Sequence, residues 1–263
     1  MKKYLRIYKR LLENALSYQA QRRGDTWMKL FLNILWIGML FLFINVFFEH
    51  TQSFAGWSKE EVYLLTFFWI CIDEIMILFF EQNLTAIPDI VTDGGLDLYL
   101  TKPVNTLFLV STQKVLLFSL YRLILEGALL LGFLTYYPHL FSIWQFIFAI
   151  PLFLCGIMTT YAFLLLLNTL SFWFFRIDNV NDLWLSIAND VGKYPIDALP
   201  RSLRTLFLTL IPVAFAAYVP TATLLGKISI YGILYALIFA LGILVFALSF
   251  WRFSVKRYSS ASS

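Results

Sequence analysis

Cysteine, histidine and charged residues are scarce in this sequence. Its 263 residues include two cysteines and two histidines, and only 14% of them are charged. Cys71 and Cys155 lie within apolar runs and lack metal-ligand spacing, which is typical of small buried side chains. His50 and His139 lie at the ends of apolar runs, with no acidic residue at a spacing typical of a catalytic or metal-binding pair. An enzyme would need clustered histidines and carboxylates, so we expect no catalytic residue and no metal site.

A complete phosphate-binding loop is also missing. The stretch TATLLGKIS at residues 221–229 contains Gly226 and Lys227, as such a loop does. Thr221 stands where the loop has its first glycine, and Ile228 stands where it has the Ser or Thr that holds magnesium. We therefore expect this chain to bind neither ATP nor any other cofactor by itself.

Long apolar runs, by contrast, are plentiful. The sequence is 60% hydrophobic and 19% aromatic, and about 20 consecutive apolar residues suffice for a helix to cross a bilayer. Six runs approach or exceed this length: about 27–48, 62–80, 115–136, 143–172, 205–219 and 228–251. The sequence predicts an all-α integral membrane protein, a single domain over residues 1–263 with six transmembrane helices.

Charge placement favours six crossings over five. The fifth run has only 15 residues and contains Pro212, so we expect it to be short, bent or partly re-entrant. If all six runs cross, the following cations share the side of the N-terminus: Lys2, Lys3, Arg6, Lys9, Arg10, Arg22, Arg23, Lys102, Arg176, Lys193, Arg201, Arg204, Arg252, Lys256 and Arg257. The other side receives Lys59 and Lys227. Cytosolic loops are rich in Lys and Arg, so both termini are predicted to be cytosolic, and the net charge of +4 does not indicate nucleic-acid binding.

The first 24 residues predict an amphipathic helix in the cytosolic interface of the bilayer. Apolar residues recur there at helical spacing, opposite a basic side: Tyr4, Tyr8, Leu11, Leu12 and Ala15. Such a helix buries its apolar side and places its cations among lipid phosphates, although a solvated helix is the alternative. No apolar core follows Lys2 and Lys3, so a cleaved signal peptide is not expected.

Two longer polar segments, residues 81–107 and 176–204, fall on the inner side in this topology. In the second, apolar residues keep a helical period against Asp178, Asp182 and Asp190, which predicts a second amphipathic helix at the inner face. The outer loops are too short to fold into domains. We therefore expect this protein to meet its partners at the inner face.

Four charged residues lie well inside the predicted spans, away from their ends. Asp73 and Glu74 belong to the second run, and Arg122 and Glu126 belong to the third. Isolated charges are costly in hydrocarbon, and Asp73 and Arg122 lie at matched depth, seven residues from the inner ends of their runs. We expect Arg122 to pair with Asp73 or Glu74 and to tie the two helices together. A substrate path, or a proton relay in a secondary transporter, is the alternative.

The stretch DGGLDLYLTKPVN at residues 93–105 interrupts the apolar sequence. Its two glycines permit a tight turn, its alternating leucines offer an apolar ridge, and its proline ends the ridge. A short exposed element of this kind is typical of a docking site. The residues that form it are Gly94, Gly95, Leu96, Asp97, Leu98, Leu100, Lys102 and Pro103.

Several blocks in this order resemble the membrane subunits of ABC-2 type exporters, in particular a bacterial branch related to the permeases of drug and antibiotic exporters. The blocks are GWSKEEV at 56–62, GGLDLYLTKPVN at 94–105, SFWFFR at 171–176, KYPIDALPRSLRTLFLTLIPVAFAAYVPTATLLGK at 193–227 and KRYS at 256–259. They span nearly the whole chain. Any one of them alone would be weak evidence.

This resemblance implies a type V exporter-like permease in the bacterial cytoplasmic membrane. Such a permease pairs with a second permease, identical or different, and each binds a separate ATPase that holds ATP and magnesium. The resemblance makes the element from Gly95 to Pro103, between the second and third helices, the coupling helix. It also implies short re-entrant pieces outside the cell between the fifth and sixth helices, in agreement with Pro212 and Pro220. The lack of an external domain favours export, and the cargo stays open.

Overall fold

The computed structural model describes residues 2–20, 23–174 and 178–258, and all regular secondary structure in these ranges is helical. The all-α fold predicted from the sequence is thereby confirmed. Arg22 and Arg176, two of the cations used to predict the topology, lie outside the described residues. The helices of the first half are α1 (Lys2–Ala20), α2 (Arg23–Glu49), α3 (Lys59–Phe79), α4 (Glu81–Leu84), α5 (Ile87–Thr92), α6 (Leu96–Leu100) and α7 (Thr106–Thr112). Those of the second half are α8 (Leu117–Tyr136), α9 (Ile143–Thr169), α10 (Asp178–Val191), α11 (Arg201–Thr209), α12 (Val213–Leu224) and α13 (Ile230–Lys256).

Five of these helices are long and apolar enough to cross a membrane, namely α2, α3, α8, α9 and α13. They match five of the six predicted runs to within a few residues.

Capping side chains fix where α3 and α9 begin. Ser58 caps α3 by accepting the N–H of Glu61, whose carboxylate in turn accepts the N–H of Ser58 at 2.8 Å. Ser142 and Gln145 form the same reciprocal cap on α9.

The core of the bundle lies around α3 and α9. In α3, 72% of the most apolar stretch is buried, against 11% in α8 and 17% in α2. The other three long helices are therefore peripheral and expose aliphatic and aromatic side chains to lipid. α9 packs against α12 and α13, and a side chain at Gly156 of α9 would collide with the carbonyl oxygen of Ala216 in α12.

Contacts between elements define two ends of the bundle. The Lys3 ammonium in α1 donates to the carbonyl of Pro103 at 2.6 Å, which places α1 beside the segment between α3 and α8. Tyr258, after α13, contacts Phe172 at the end of α9, with ring centroids 5.9 Å apart. We call this end the inner end, following the predicted orientation. The opposite end, which carries the α2–α3 loop with Trp57, is the outer end.

The fifth crossing is made by α10 and the residues after it, not by residues 205–219. Near the start of α10, the Asn181 amide donates to Asn168 Oδ1 at 2.7 Å, close to the inner end of α9. Sixteen residues later, Asp197 accepts a hydrogen bond from Trp57 Nε1 at 2.8 Å at the outer end. The 14 residues of α10 cover about 21 Å of this path. The amphipathic helix predicted to lie at the inner face is therefore the crossing helix.

The predicted fifth span is instead part of a re-entrant pair. Helices α11 and α12 are bent by 97° at a break that contains Pro212, which has no backbone N–H to continue α11. The pair starts beside Asp197 at the outer end. It also ends there, because the Lys227 ammonium binds Glu61 Oε2 at 2.6 Å and the carbonyl of Gly56 at 3.2 Å. A segment with both ends at one face dips into the membrane without crossing it.

This correction moves Arg201 and Arg204 from the inner to the outer end. It also removes Lys193 from the inner end, because Lys193 follows α10 and its carbonyl accepts a hydrogen bond from Thr66 in the outer half of α3. Arg204 is neutralised there by Asp197, at 2.8 Å between Nη2 and Oδ1. The inner end keeps the cations of α1 and those at the end of α13, so the basic asymmetry on which the orientation rests is preserved.

Candidate functional site

The segment between α3 and α8, residues 81–114, forms a platform at the inner end. Asn83 ties its start to its end: the amide donates to the carbonyl of Lys114 at 2.7 Å, and Oδ1 accepts the N–H of Lys114 at 2.9 Å. Ser111 and Tyr161 share a hydrogen bond of 2.9 Å that joins α7 to α9. Because Asn83 is 1% exposed, water does not compete for these bonds. The Asn83 amide also donates to the carbonyl of Phe79 at 2.9 Å, so the inner platform is fixed to α3 and α9.

Helix α6 presents part of the predicted docking element at the surface of the platform. Gly94 has a φ of 73°, a left-handed conformation that favours glycine, and Gly95 precedes the first turn. Leu98 is 69% exposed and Leu100 is 40% exposed. The predicted ridge of three leucines is wrong in one respect: Leu96 is fully buried, because helical geometry turns it away from Leu98 and into the core.

Of the rest of the predicted docking element, Pro103 contacts α1. Lys102 places its ammonium 5.0 Å from the centre of the Tyr99 ring, and Asp97 lies in the first turn of α6. The carbonyl of Pro103 accepts the hydrogen bond from Lys3. Tyr4 packs on Phe108 with ring centroids 4.9 Å apart. Helix α1 therefore rests directly on the platform.

Glu81 lies where α3 meets the platform. Burial and the negative charges of Asp73 and Glu74 raise the pKa of Glu81 to about 7. This carboxyl group therefore titrates near neutral pH at the junction between the bundle and the platform.

The four intramembrane charges form a cluster between α2, α3 and α8. Of the two acidic partners expected for Arg122, the structure places Glu74 in contact, with Nη2 and Oε2 2.9 Å apart. Glu126 is held from α2 instead, because the Asn33 amide donates to its Oε1 at 3.2 Å. Both glutamates are 1% exposed. The sequence indicated the pair through matched depth, but nothing in it singled out Asn33.

Asp73 lies apart from this ion pair, on the wall of a cavity. It forms no ion pair with the described residues. The cavity has a volume of about 510 Å³ and lies between α2, α3, α8 and α10. Asn189 of α10 and Trp36 of α2 line it together with Glu74 and Arg122. A carboxylate without a contact partner thus faces a space large enough for a small molecule.

One side of α10 carries an exposed polar stripe at membrane depth. Asp182, Ser186 and Asp190 follow each other at intervals of four residues and are all exposed. A charged side chain facing hydrocarbon is costly, so this stripe is suited to water or to a polar partner. The same polarity explains why apolar runs did not identify α10 as a crossing helix.

A second polar network holds the re-entrant pair at the outer end. Asp197 accepts hydrogen bonds from Trp57 and, at 3.2 Å, from the Tyr218 hydroxyl, and it pairs with Arg204. The Lys227 ammonium lies 4.3 Å from the centre of the Trp57 ring. Asp197 was not among the site residues predicted from the sequence. Its position between Pro195 and Pro200 is the signal that could have drawn attention to it, but the predicted topology placed this segment at the inner face.

Residues 34–262 match the sequence profile of a family described as "ABC-2 family transporter protein". The match covers the platform, α10, the re-entrant pair and most of the cavity lining. It leaves out α1 and the first part of α2, which carries the cavity residues Lys29, Leu32 and Asn33. None of the proteins with curated functions matches the chain.

Proposed function

This chain belongs to the ABC-2 transporter family, and from that premise we propose that it is an export permease driven by separate ATPase subunits. Family membership makes it a membrane-spanning permease subunit of an ABC transporter. The proposal adds the docking surface for the ATPase, the pairing with a second permease, the orientation in the membrane and the direction of transport.

The exposed Leu98 on the fixed inner platform is the observation that carries this proposal. A large apolar side chain that is 69% exposed on a rigid element is typical of a protein contact. Leu98 and Leu100 would insert into a groove of the ATPase, while α1 would flank the contact. Because Asn83 bonds the carbonyl of Phe79 in α3 and Ser111 bonds Tyr161 in α9, a displacement of α6 would move the bundle rather than a loose loop.

The polar stripe of α10 supports pairing with a second permease. Two permeases that face each other across Asp182, Ser186 and Asp190 would enclose a water-filled path and shield these residues from lipid. The partner is a second copy of this chain or a related permease. ATP binding would bring the two docked platforms together and shift the pair between arrangements that differ in affinity for the cargo.

The distribution of charge and loops supports export from a cell whose cytosol faces the platform. The basic α1 and the basic end of α13 belong in the cytosol by the positive-inside rule. At the outer end, the described loops are short and carry the re-entrant pair, which offers no domain to receive cargo from a binding protein. The bacterial cytoplasmic membrane, with both termini inside the cell, is the location that we propose.

A co-purification experiment with substitutions at position 98 tests the docking surface. Tagged permease is purified from its native membrane, and the associated ATPase is identified by its G-x-x-x-x-G-K-[ST] loop and quantified. Leu98→Asp should reduce the bound ATPase at least tenfold because it places a charge in an apolar contact. Leu98→Met keeps an apolar side chain of similar size and should retain the ATPase. Full retention of the ATPase by Leu98→Asp, with unchanged ATP hydrolysis, would contradict the proposal.

A further inference from the structure

We propose that the cavity beside Asp73 binds the positively charged, hydrogen-bond-donating nitrogen of an amphipathic cargo, such as a primary ammonium or guanidinium group on an apolar body. This inference rests on the proposed function, since it names the class of molecule that the permease would carry. It concerns recognition within the bundle and is independent of how the ATPase docks.

The shape and walls of the cavity suit an amphipathic molecule. Its volume of about 510 Å³ is in the range of sites for small ligands. Leu32, Ile70 and Phe118 supply apolar wall, and the acidic side chains of Asp73 and Glu74 lie on the side formed by α3. A ligand with a charged head and an apolar body would match both parts.

Asp73 is the acidic group of the cavity that no described side chain contacts directly. Glu74 pairs with Arg122 through Oε2, and its other oxygen is buried away from solvent. Asp73 is less buried than Glu74 and forms no ion pair with the described residues. A ligand nitrogen with two or three N–H groups would supply this carboxylate with hydrogen-bond donors and a charge in direct contact.

Two basic residues, Lys29 and Arg122, also line the cavity. Arg122 is engaged with Glu74, and the Lys29 ammonium lies 4.9 Å from the centre of the Phe118 ring. The Lys193 ammonium lies 4.9 Å from the centre of the Trp36 ring. None of the three forms an ion pair with Asp73, so its carboxylate is the charged group of the wall that a cationic ligand would contact.

The depth of Asp73 fits a cargo that enters from the inner side. Asp73 is six residues from the end of α3 at Phe79, which is about 9 Å along the helix from the inner end. This is the depth of the inner leaflet just below the headgroups. A lipophilic cation would concentrate there because its nitrogen remains near the interface while its apolar body lies in hydrocarbon.

A set of three dansyl probes tests the proposal in nanodiscs of neutral phosphatidylcholine. Dansylcadaverine carries a primary ammonium, its N-acetyl derivative is uncharged, and dansyl-aminohexanoic acid is anionic. Fluorescence anisotropy measures saturable binding of each probe to the purified chain, against empty nanodiscs. The ammonium probe should bind at least tenfold more tightly than the other two. Equal or tighter binding of the acetylated or the anionic probe would overturn the proposal without any substitution in the protein.

Substitutions then place the binding site. Asp73→Asn keeps the size of the side chain and removes its charge, so it should weaken binding of the ammonium probe at least tenfold. Asp89→Asn makes the same change at an exposed position of α5, outside the cavity wall, and should leave binding unchanged. Asp73→Glu should restore part of the affinity. Equal affinities of Asp73→Asn and Asp89→Asn would overturn the assignment to this cavity.

The result of the probe-binding experiment can be interpreted independently of the ATPase co-purification experiment. Probe binding in nanodiscs needs no ATPase, so a failed co-purification at Leu98 leaves this measurement intact. Conversely, absence of probe binding leaves the ATPase contact standing and rejects only the cargo class.

Discussion

At the residue scale, the buried ion pair between Glu74 and Arg122 holds α3 against α8. Glu74 has lost nearly all contact with solvent, and its charge is compensated by Arg122, whose side chain is 22% exposed. In a medium of low dielectric constant, an ion pair gains little over a well-packed apolar pair, but a single charge left behind is costly. The contact therefore acts as a constraint on how α3 and α8 are aligned, and it stabilises only as long as both partners are present.

Removing one partner of this ion pair should therefore destabilise the protein more than removing both partners. We expect Arg122→Met to lower the free energy of unfolding by on the order of 3 kcal/mol, because it leaves Glu74 buried without a counter-ion. The double variant Glu74→Gln with Arg122→Met should recover most of that loss. Thermal unfolding in detergent measures both variants. A double variant as unstable as Arg122→Met alone would contradict this account of the pair.

Glu81 should make stability depend on pH near neutrality. Its pKa in the folded protein is raised to about 7, from a value of 4.5 without the fold. Folding therefore favours the protonated carboxyl, so the contribution of Glu81 to stability is present at low pH and is lost as the pH rises through about 7. The melting temperature should fall between about pH 5 and about pH 8, and Glu81→Gln should reduce that fall. An identical pH profile for Glu81→Gln would exclude this role of Glu81.

At the scale of elements, the sequence predicted the five long apolar helices α2, α3, α8, α9 and α13. It failed at α10, since Asn181, Asp182, Asn189 and Asp190 lower its hydropathy below that of a typical span. It failed again at α12, whose apolar sequence is buried in the bundle rather than used to cross it. Hydropathy reports that a segment avoids water, not whether lipid or protein surrounds it. Only contacts in the structure, such as those of Asp197 with Trp57 and of Lys227 with Glu61, show which segment crosses the membrane and which folds back.

The candidate site was predictable to a similar degree. Matched depth along two helices was enough to bring Arg122 near two carboxylates, whereas the choice of Glu74 over Asp73 depends on how α3 is rotated about its axis. The turn residues and leucines in the sequence predicted the position of the exposed helix α6. The burial of Leu96 and the clamp made by Asn83 depend on packing between segments, for which the sequence carries no local signal.

The contact between α9 and α12 should be sensitive to a single methyl group. Gly156→Ala adds a Cβ that would collide with the carbonyl oxygen of Ala216, so backbone must shift. We expect a loss of stability of about 1–3 kcal/mol, as for other overpacked cores. Gly132→Ala is the matched control on α8, where no neighbouring atom lies within 4 Å of the added Cβ. If the two variants unfold at the same temperature, the close approach of α9 and α12 is not as described.

At the scale of the whole molecule, one bundle carries three different surfaces. We propose that the exposed leucines of the inner platform contact the ATPase and that the polar stripe of α10 faces a second permease, while the outer end carries the network around Asp197. The cavity beside Asp73 lies between the first and the last of these, near the inner leaflet. This order matches a path on which cargo loads at the inner side and leaves past the re-entrant pair.

The central claim is that α10 crosses the membrane and that α11 therefore begins outside the cell. Cysteine labelling of intact cells tests it directly in a variant without Cys71 and Cys155, both of which are buried. Gln52→Cys, in the α2–α3 loop, and Lys256→Cys, exposed at the end of α13, serve as references for the two faces. The account predicts that a membrane-impermeant maleimide labels Ser202→Cys as it labels Gln52→Cys, while Lys256→Cys reacts only after the cells are opened. Labelling of Ser202→Cys only in opened cells, together with Lys256→Cys, would contradict it.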